Sequence, residues 1–210
     1  MNRTRSNTPS FFPIADQETG AEIAQRARDA GAFVAVAHPE WSGLSLDDAR
    51  SIKAAHAIEI YNHGCQVSAD RAEGFWHLDR LLEEGRRLTL CATDDAHFGE
   101  PDHFGGWTMV KATENTPDAL LEALKVGHMY ASTGPEIHNV EWSENEVSVA
   151  CSAAAVIIIQ GAGTASTAHH GESITRARLP LDRFANSAWV RLTVIDRAGK
   201  RAWTNPVWRG

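Results

Sequence analysis

Two short segments of the chain place metal-binding residue types directly after apolar strands. In the first, residues 87–92 are mostly apolar, and Asp95 and His97 follow them. Alternate side chains of an extended backbone point the same way, so we expect Asp95 and His97 to converge just beyond the strand. A carboxylate and an imidazole placed in this way are suited to bind a hydrolytic metal ion.

The second segment is the apolar run at residues 32–37, which ends in His38. In α/β sheets and barrels, ligands bind at the carboxyl ends of the strands. Since both segments end at such a position, the sequence predicts that His38, Asp95 and His97 belong to one metal site.

Helical and strand patterns alternate up to about residue 134. The apolar strand patterns are nearly continuous, which is typical of a parallel sheet covered by helices. Ser45 and Asp48 form an acidic capping-box pattern, and Pro117 lies in the first turn of another helix. The predicted helices are 18–30, a short one after residue 45, 67–84 and 116–127, and the predicted strands are 32–37, 57–61, 87–92 and 107–111.

After Pro135 no helical pattern remains, and short strand patterns follow one another. Residues 196–199 read as a hairpin turn that returns through 200–204. His169 and His170 lie among small polar residues and are interpreted as a solvated loop. The predicted strands are 146–151, 155–160, 173–179 and 188–195. The organisation expected is an irregular segment at 1–15, an α/β domain at 16–134 and a small all-β, sandwich-like domain at 135–210.

Composition narrows the class of protein. The chain has 210 residues, of which 43% are hydrophobic, and a formal net charge of −7. That charge gives no overall basic surface for nucleic acid. The three cysteines are odd in number and far apart, which favours a reducing cytoplasm over a disulfide framework. No apolar run is long enough to span a membrane or to act as a signal peptide.

Four motifs occur in an order that resembles a known superfamily. They are Ala37-His38-Pro39, Ile58-Glu59-Ile60-Tyr61-Asn62, Thr93-Asp94-Asp95-Ala96-His97 and Tyr130-Ala131-Ser132-Thr133-Gly134-Pro135. Together they resemble the PHP (polymerase and histidinol phosphatase) superfamily over roughly residues 16–135. The resemblance implies a distorted β/α barrel and a centre of zinc, manganese or iron ions that hydrolyses phosphoesters of small phosphorylated substrates.

The resemblance also implies roles for single residues. His38, Asp95 and His97 match metal-ligand positions of the family. Glu59 and Asn62 match a recurring segment near the site and are candidate substrate-binding residues. His103 lies on a loop that should face the site and is a further substrate-binding candidate.

One departure from the family pattern limits the expected activity. Family members begin with a His-x-His motif on the first strand, whereas the first histidine here is His38 and no His-x-His occurs. The expectation is therefore a partial, truncated barrel with an incomplete metal site and little activity by itself. An exposed edge of its sheet should favour self-association.

Two other functions compete with a PHP phosphoesterase. One is a non-catalytic remnant whose β domain binds a partner or ligand. The other is an amidohydrolase-type metal hydrolase on a TIM-like barrel, which also uses His and Asp at strand ends. The Ala-His-Pro and Tyr-x-Ser-x-Gly-Pro contexts favour the PHP reading.

Overall fold

Two sheets of different type organise the chain. The computed structural model describes residues 17–209, which contain a three-stranded parallel sheet and an eight-stranded antiparallel sheet. The antiparallel sheet is curled into a half-barrel, and the chain has more strand than helix. The fold is therefore mixed α/β. The irregular segment expected at 1–15 lies outside the described residues.

The parallel sheet has the order β1-β2-β3 and is flanked by short helices. Its strands are β1 (Ala35–Val36), β2 (Ala57–Asn62) and β3 (Thr89–Thr93). The helices are α1 (Gly20–Asp29), α2 (Leu46–Ser51), α3 (His63–Ala69), α4 (Phe75–Glu83) and α5 (Pro117–Val126).

Local sequence signals explain most of the helix ends. Ser45 and Asp48 form the predicted capping box at the start of α2. Pro117 begins α5, and Gly127 ends it in the left-handed conformation that glycine adopts without strain. The single helix predicted at 67–84 is wrong. Asp70 adopts a left-handed φ of 54° and ends α3, so the chain starts a separate helix, α4, after a short connection.

The antiparallel sheet has the order β4-β5-β10-β9-β7-β6, with β8 beside β7 and β11 beside β9. Its strands are β4 (Trp107–Val110), β5 (Met129–Ser132), β6 (Ile137–Trp142), β7 (Glu146–Gly161), β8 (Ser166–Pro180), β9 (Trp189–Ile195), β10 (Arg201–Thr204) and β11 (Val207–Trp208). A short 3-10 helix covers Asp182–Phe184.

Several expectations for this half of the chain are corrected. β4 pairs antiparallel with β5 instead of joining the parallel sheet. It is not buried on both faces, since Met109 is exposed, and strands of parallel sheets are buried on both. The strands of the predicted sandwich-like domain belong to one sheet instead of two. The long strand β7 pairs with β6 and β9 along one edge and with β8 along the other.

His169 and His170 lie in β8 and not in a loop. They pair with Ile157 and Val156 of β7, which is strongly apolar. The polar composition around these histidines predicts a loop, but cross-strand pairing with β7 holds the segment in a strand. Both histidines are exposed, as expected.

The two sheets share a hydrophobic core and are also joined by polar side chains. Ile58 and Leu90 of the parallel sheet pack in the same cluster as Trp203 of the antiparallel sheet. The Thr108 hydroxyl accepts from the N–H of Ala92 at 3.1 Å and donates to its carbonyl at 2.9 Å. This contact satisfies the backbone N–H and carbonyl of Ala92 on the edge of β3 that faces β4.

No helix among residues 17–209 is long and apolar enough to cross a membrane.

Candidate metal centre

The carboxyl ends of the three parallel strands open into one cavity of about 580 Å³. Its walls include His38 after β1, Asp95 and His97 after β3, and Cys65 and Trp41 from the neighbouring segments. All three predicted metal ligands therefore line the same cavity, although they contribute to it differently.

His38 is held with its ring directed toward Asp95. Its backbone has a positive φ of 29°, and its N–H donates to Glu59 Oε2 at 2.5 Å. The ring Nδ1 lies 2.8 Å from Ser42 Oγ, and the ring packs edge-on against Trp41. Because Nδ1 is engaged by Ser42, Nε2 is the nitrogen available to a ligand.

His38 and Asp95 are spaced almost like two ligands of one ion. His38 Nε2 lies 3.9 Å from Asp95 Oδ2. Donor atoms at ordinary zinc distances of about 2.0–2.2 Å in a tetrahedron would be about 3.3–3.6 Å apart. A small side-chain movement closes that difference, so these two donors fit a shared divalent ion.

Glu59 supports this pair from behind instead of lining the cavity. Its side chain is buried, with 3% exposure, and its carboxylate accepts three hydrogen bonds. The donors are the N–H of His38, Asn62 Nδ2 at 3.1 Å and Thr93 Oγ1 at 2.5 Å. The carboxylate therefore fixes the ends of all three parallel strands and is not free to contact a substrate.

Asn62 orients the carboxylate of Asp95. It is buried, and its Nδ2 donates to Asp95 Oδ2 at 3.3 Å as well as to Glu59. Its Oδ1 accepts from the N–H of Cys65 at 2.8 Å and so caps α3. Asn62 and Glu59, both expected to bind substrate, instead act on the two candidate ligands.

His97 lies on the rim of the cavity. Its side chain is 80% exposed, and its backbone N–H donates to Asp102 Oδ2 at 2.7 Å. The argument that alternation would bring it beside Asp95 is wrong, because β3 ends at Thr93 and Asp95 has a left-handed φ of 51°. Among residues 17–209, no group of three or more His, Cys, Asp or Glu side chains is close enough to hold a metal ion.

His103 does not reach the cavity wall. It is exposed, and its ring contacts Phe104 and Phe98 at centroid distances of 5.3 and 6.2 Å. The three rings form a small aromatic cluster on the outside of the loop that follows β3.

Asp94, which the sequence suggested only as a loop cap, organises that loop. Its carboxylate accepts the N–H groups of Phe104, Gly105 and Gly106. Partial burial opposes its charge, but these three hydrogen bonds outweigh it and lower the pKa of Asp94. A Cβ at Gly105 would lie 2.1 Å from the ring of His63, so a larger residue there would force that ring to move. The Gly-Gly pair was the sequence signal for this close packing.

Cys65 lines the cavity but is a thiol at neutral pH. Burial, followed by the charges of Asp95 and Glu59, raises its pKa to about 11. A metal ligand would have to be the thiolate. A bound divalent ion lowers the pKa of a coordinating thiol, so this value applies to the cavity without metal.

Comparison with known proteins adds no relative to this description. No known protein family, no curated protein and no solved structure matches the chain.

Proposed function

We propose that the chain carries part of a divalent-metal centre of the PHP phosphoesterase type. His38 and Asp95 are its inner protein ligands, and His97 joins them from the rim. The observation that carries this proposal is the 3.9 Å approach of His38 Nε2 to Asp95 Oδ2 at the carboxyl ends of parallel strands. Zinc, manganese and iron all accept imidazole and carboxylate donors.

The surrounding side chains position the two ligands and do not themselves bind the ion. Glu59 fixes the backbone of His38, and Asn62 fixes the carboxylate of Asp95. When bound, a divalent ion in such a site lowers the pKa of a coordinated water and polarises a phosphoryl oxygen. The open cavity of about 580 Å³ has room for a small phosphorylated substrate, and Trp41 is part of its wall.

A second candidate function rests on the incomplete ligand set. Since residues 17–209 bring only His38 and Asp95 close together, the site holds an ion weakly unless His97 moves inward or further donors join. A chain with such a site would bind a ligand or partner without turning over a substrate. Its three free cysteines support the cytoplasmic location that we propose with either function.

Metal binding is the first test. Zinc, manganese and iron(II) are titrated into the wild type, His38→Ala and Asp95→Ala, with His170→Ala and Asp118→Ala as exposed controls of the same residue types. We expect both site variants to lose binding and both controls to keep it. Unchanged metal affinity in His38→Ala and Asp95→Ala would contradict the site.

Activity is the second test. Hydrolysis of p-nitrophenyl phosphate and nucleoside monophosphates is measured with each metal. Turnover that disappears in Asp95→Ala supports the phosphoesterase, whereas metal binding without turnover supports the non-catalytic function. Hydrolysis of amide substrates alone would instead support the amidohydrolase reading and overturn the PHP proposal.

A further inference from the structure

A second cavity lies at the opposite, amino ends of the parallel strands. It has a volume of about 410 Å³, and its walls include His56 just before β2 and Thr89 at the start of β3. Among residues 17–209, no carboxylate lines it, and five cationic side chains do: Arg28, Lys53, Arg86, Arg87 and Lys125. We call these residues the basic pocket. Such a concentration is unexpected in a chain with a net charge of −7.

Helix ends account for part of this charge. α1, α2, α4 and α5 all end near the basic pocket, and cations are favourable beside the partial negative charge of a helix C-terminus. Arg28 donates to the carbonyl of Ala54 at 2.9 Å. Arg86 donates to the carbonyls of Ala49 and Ile52 at 3.0 Å each. These two guanidinium groups are therefore occupied by the protein itself.

Within residues 17–209, the other three cations have no acidic partner. In the described part of the chain, Lys53 and Lys125 form no ion pair or side-chain hydrogen bond, and Arg87 lies over the ring of Trp208 at 5.1 Å. Glu84 is the acidic residue that acts on Arg86, but its carboxylate already accepts three hydrogen bonds from Arg50. Positive charge at the basic pocket is therefore in excess.

The positive charges of the basic pocket also act on His56. The N–H of Val34 donates to its Nδ1 at 3.1 Å, and its ring stacks on Phe33. Burial, followed by the positive charges of Arg28 and Lys125, lowers the pKa of His56. The ring is thus neutral at pH 7, and the permanent charges of the lysines and arginines remain to attract an anion.

We infer that the basic pocket binds a small phosphate-bearing anion, with Lys53, Arg87 and Lys125 as its ligands. Ammonium and guanidinium groups bind phosphate by charge-assisted hydrogen bonds, and Arg87 offers the planar fork suited to paired phosphate oxygens. Since several cations line one cavity of about 410 Å³, we expect an anion with two linked phosphate groups to contact more of them than inorganic phosphate does. This site is separate from the metal centre and does not depend on the proposed function.

The small number of lysines in the chain allows a test of anion binding with a control variant of the same net charge. The chain has only four lysines, two in the basic pocket and two elsewhere, Lys111 and Lys200. Pyrophosphate and inorganic phosphate are titrated calorimetrically into EDTA-treated full-length protein, so that no metal contributes. The variants are Lys53→Ala/Lys125→Ala and the control Lys111→Ala/Lys200→Ala, which has the same net charge.

We expect pyrophosphate to bind more tightly than inorganic phosphate. We also expect about a tenfold or greater loss of affinity in the pocket variant and less than about a twofold loss in the control. Binding should weaken with added salt and be unaffected by Asp95→Ala. Equal losses in both double variants, or no binding of pyrophosphate by the wild type, would overturn the inference. Arg87→Gln, which should also weaken binding, replaces the double variant if circular dichroism shows that the latter unfolds.

Discussion

The guanidinium of Arg191 in β9 holds the carboxylate of Asp79 in α4 and so joins the antiparallel sheet to a helix of the parallel sheet. Arg191 is only 2% exposed, whereas Asp79 is 30% exposed. The guanidinium also lies 4.7 Å from the ring centre of Phe75 and 5.2 Å from that of Trp189. Within residues 17–209, the buried charge of Arg191 is therefore paired with a single carboxylate, that of Asp79.

Removing that carboxylate should destabilise the whole chain. In Asp79→Ala, Arg191 keeps its charge in a buried position without an anionic partner, and we expect a loss of about 2–4 kcal/mol in the free energy of unfolding. Urea denaturation measures it. Glu172→Ala, which breaks the exposed Arg197–Glu172 pair, is the control and should cost under about 1 kcal/mol. Equal effects of the two substitutions would show that Arg191 finds another partner.

Substitutions of Glu59 test whether this residue positions His38 or binds the metal ion itself. Glu59→Ala leaves three donors without their acceptor, and we expect a loss of about 2–5 kcal/mol in unfolding free energy. Glu59→Gln can still accept from His38 and donate to Thr93, so its loss should be about 1 kcal/mol. If Glu59 only positions His38, metal affinity in Glu59→Gln stays within a few-fold of the wild type. A loss as large as that in Asp95→Ala would instead make Glu59 a ligand.

The Thr108 contact with β3 predicts a specific cost for losing one hydroxyl. Thr108→Val keeps the shape of the side chain but leaves both the N–H and the carbonyl of Ala92 without this partner. We expect a loss of about 1–3 kcal/mol in unfolding free energy. Thr113→Val is the control, because Thr113 is exposed and its hydroxyl forms no hydrogen bond within residues 17–209. A neutral Thr108→Val would mean that water replaces the hydroxyl.

Local sequence signals predicted those parts of the fold that local forces decide. The capping box of Ser45 and Asp48 and the start of α5 at Pro117 were confirmed because neighbouring residues alone determine them. The pairing of β4 with β5 was not predictable in this way. It depends on a sheet built from segments distant in the chain, in which β5 also pairs with β10 through Ser132 and Ala202.

In the candidate site, too, sequence patterns predicted one feature and not another. The approach of His38 to Asp95 follows from their places after the carboxyl ends of β1 and β3, two apolar strands of the same parallel sheet that sequence patterns show. The outward position of His97 follows from the left-handed backbone of Asp95 and from the cap that Asp102 forms on the loop. Neither feature is encoded in a periodic pattern, so the sequence alone placed His97 too close to the other two.

The loop after β3 should lose stability in acid through Asp94. Because its pKa is lowered by folding, its carboxylate contributes stability above the unfolded value of 3.8, and this contribution is lost as the pH falls toward the folded pKa. The difference in unfolding free energy between the wild type and Asp94→Asn should therefore be constant above about pH 5 and shrink below 3.8. Urea denaturation across this range measures it, with Glu114→Gln as an exposed control. A difference that grows in acid would contradict the assignment.

Self-association remains a prediction, and β1 is the edge on which it now depends. β1 pairs with β2, and no other strand among residues 17–209 lies beside it. The opposite edge of the parallel sheet is protected, because Thr108 and Asn205 satisfy the backbone of β3. An unprotected edge pairs readily with a second chain, so light scattering should show a mass that increases with protein concentration.

A charge placed at this edge should reverse the association. Ala37 is exposed directly after β1, and Ala37→Lys would oppose pairing with another strand there. Ala198→Lys places the same charge in the exposed turn between β9 and β10 and is the matched control. We expect Ala37→Lys to scatter as a monomer and Ala198→Lys to behave as the wild type. A wild type that stays monomeric at all concentrations, or equal effects of the two lysines, would show that the β1 edge does not mediate association.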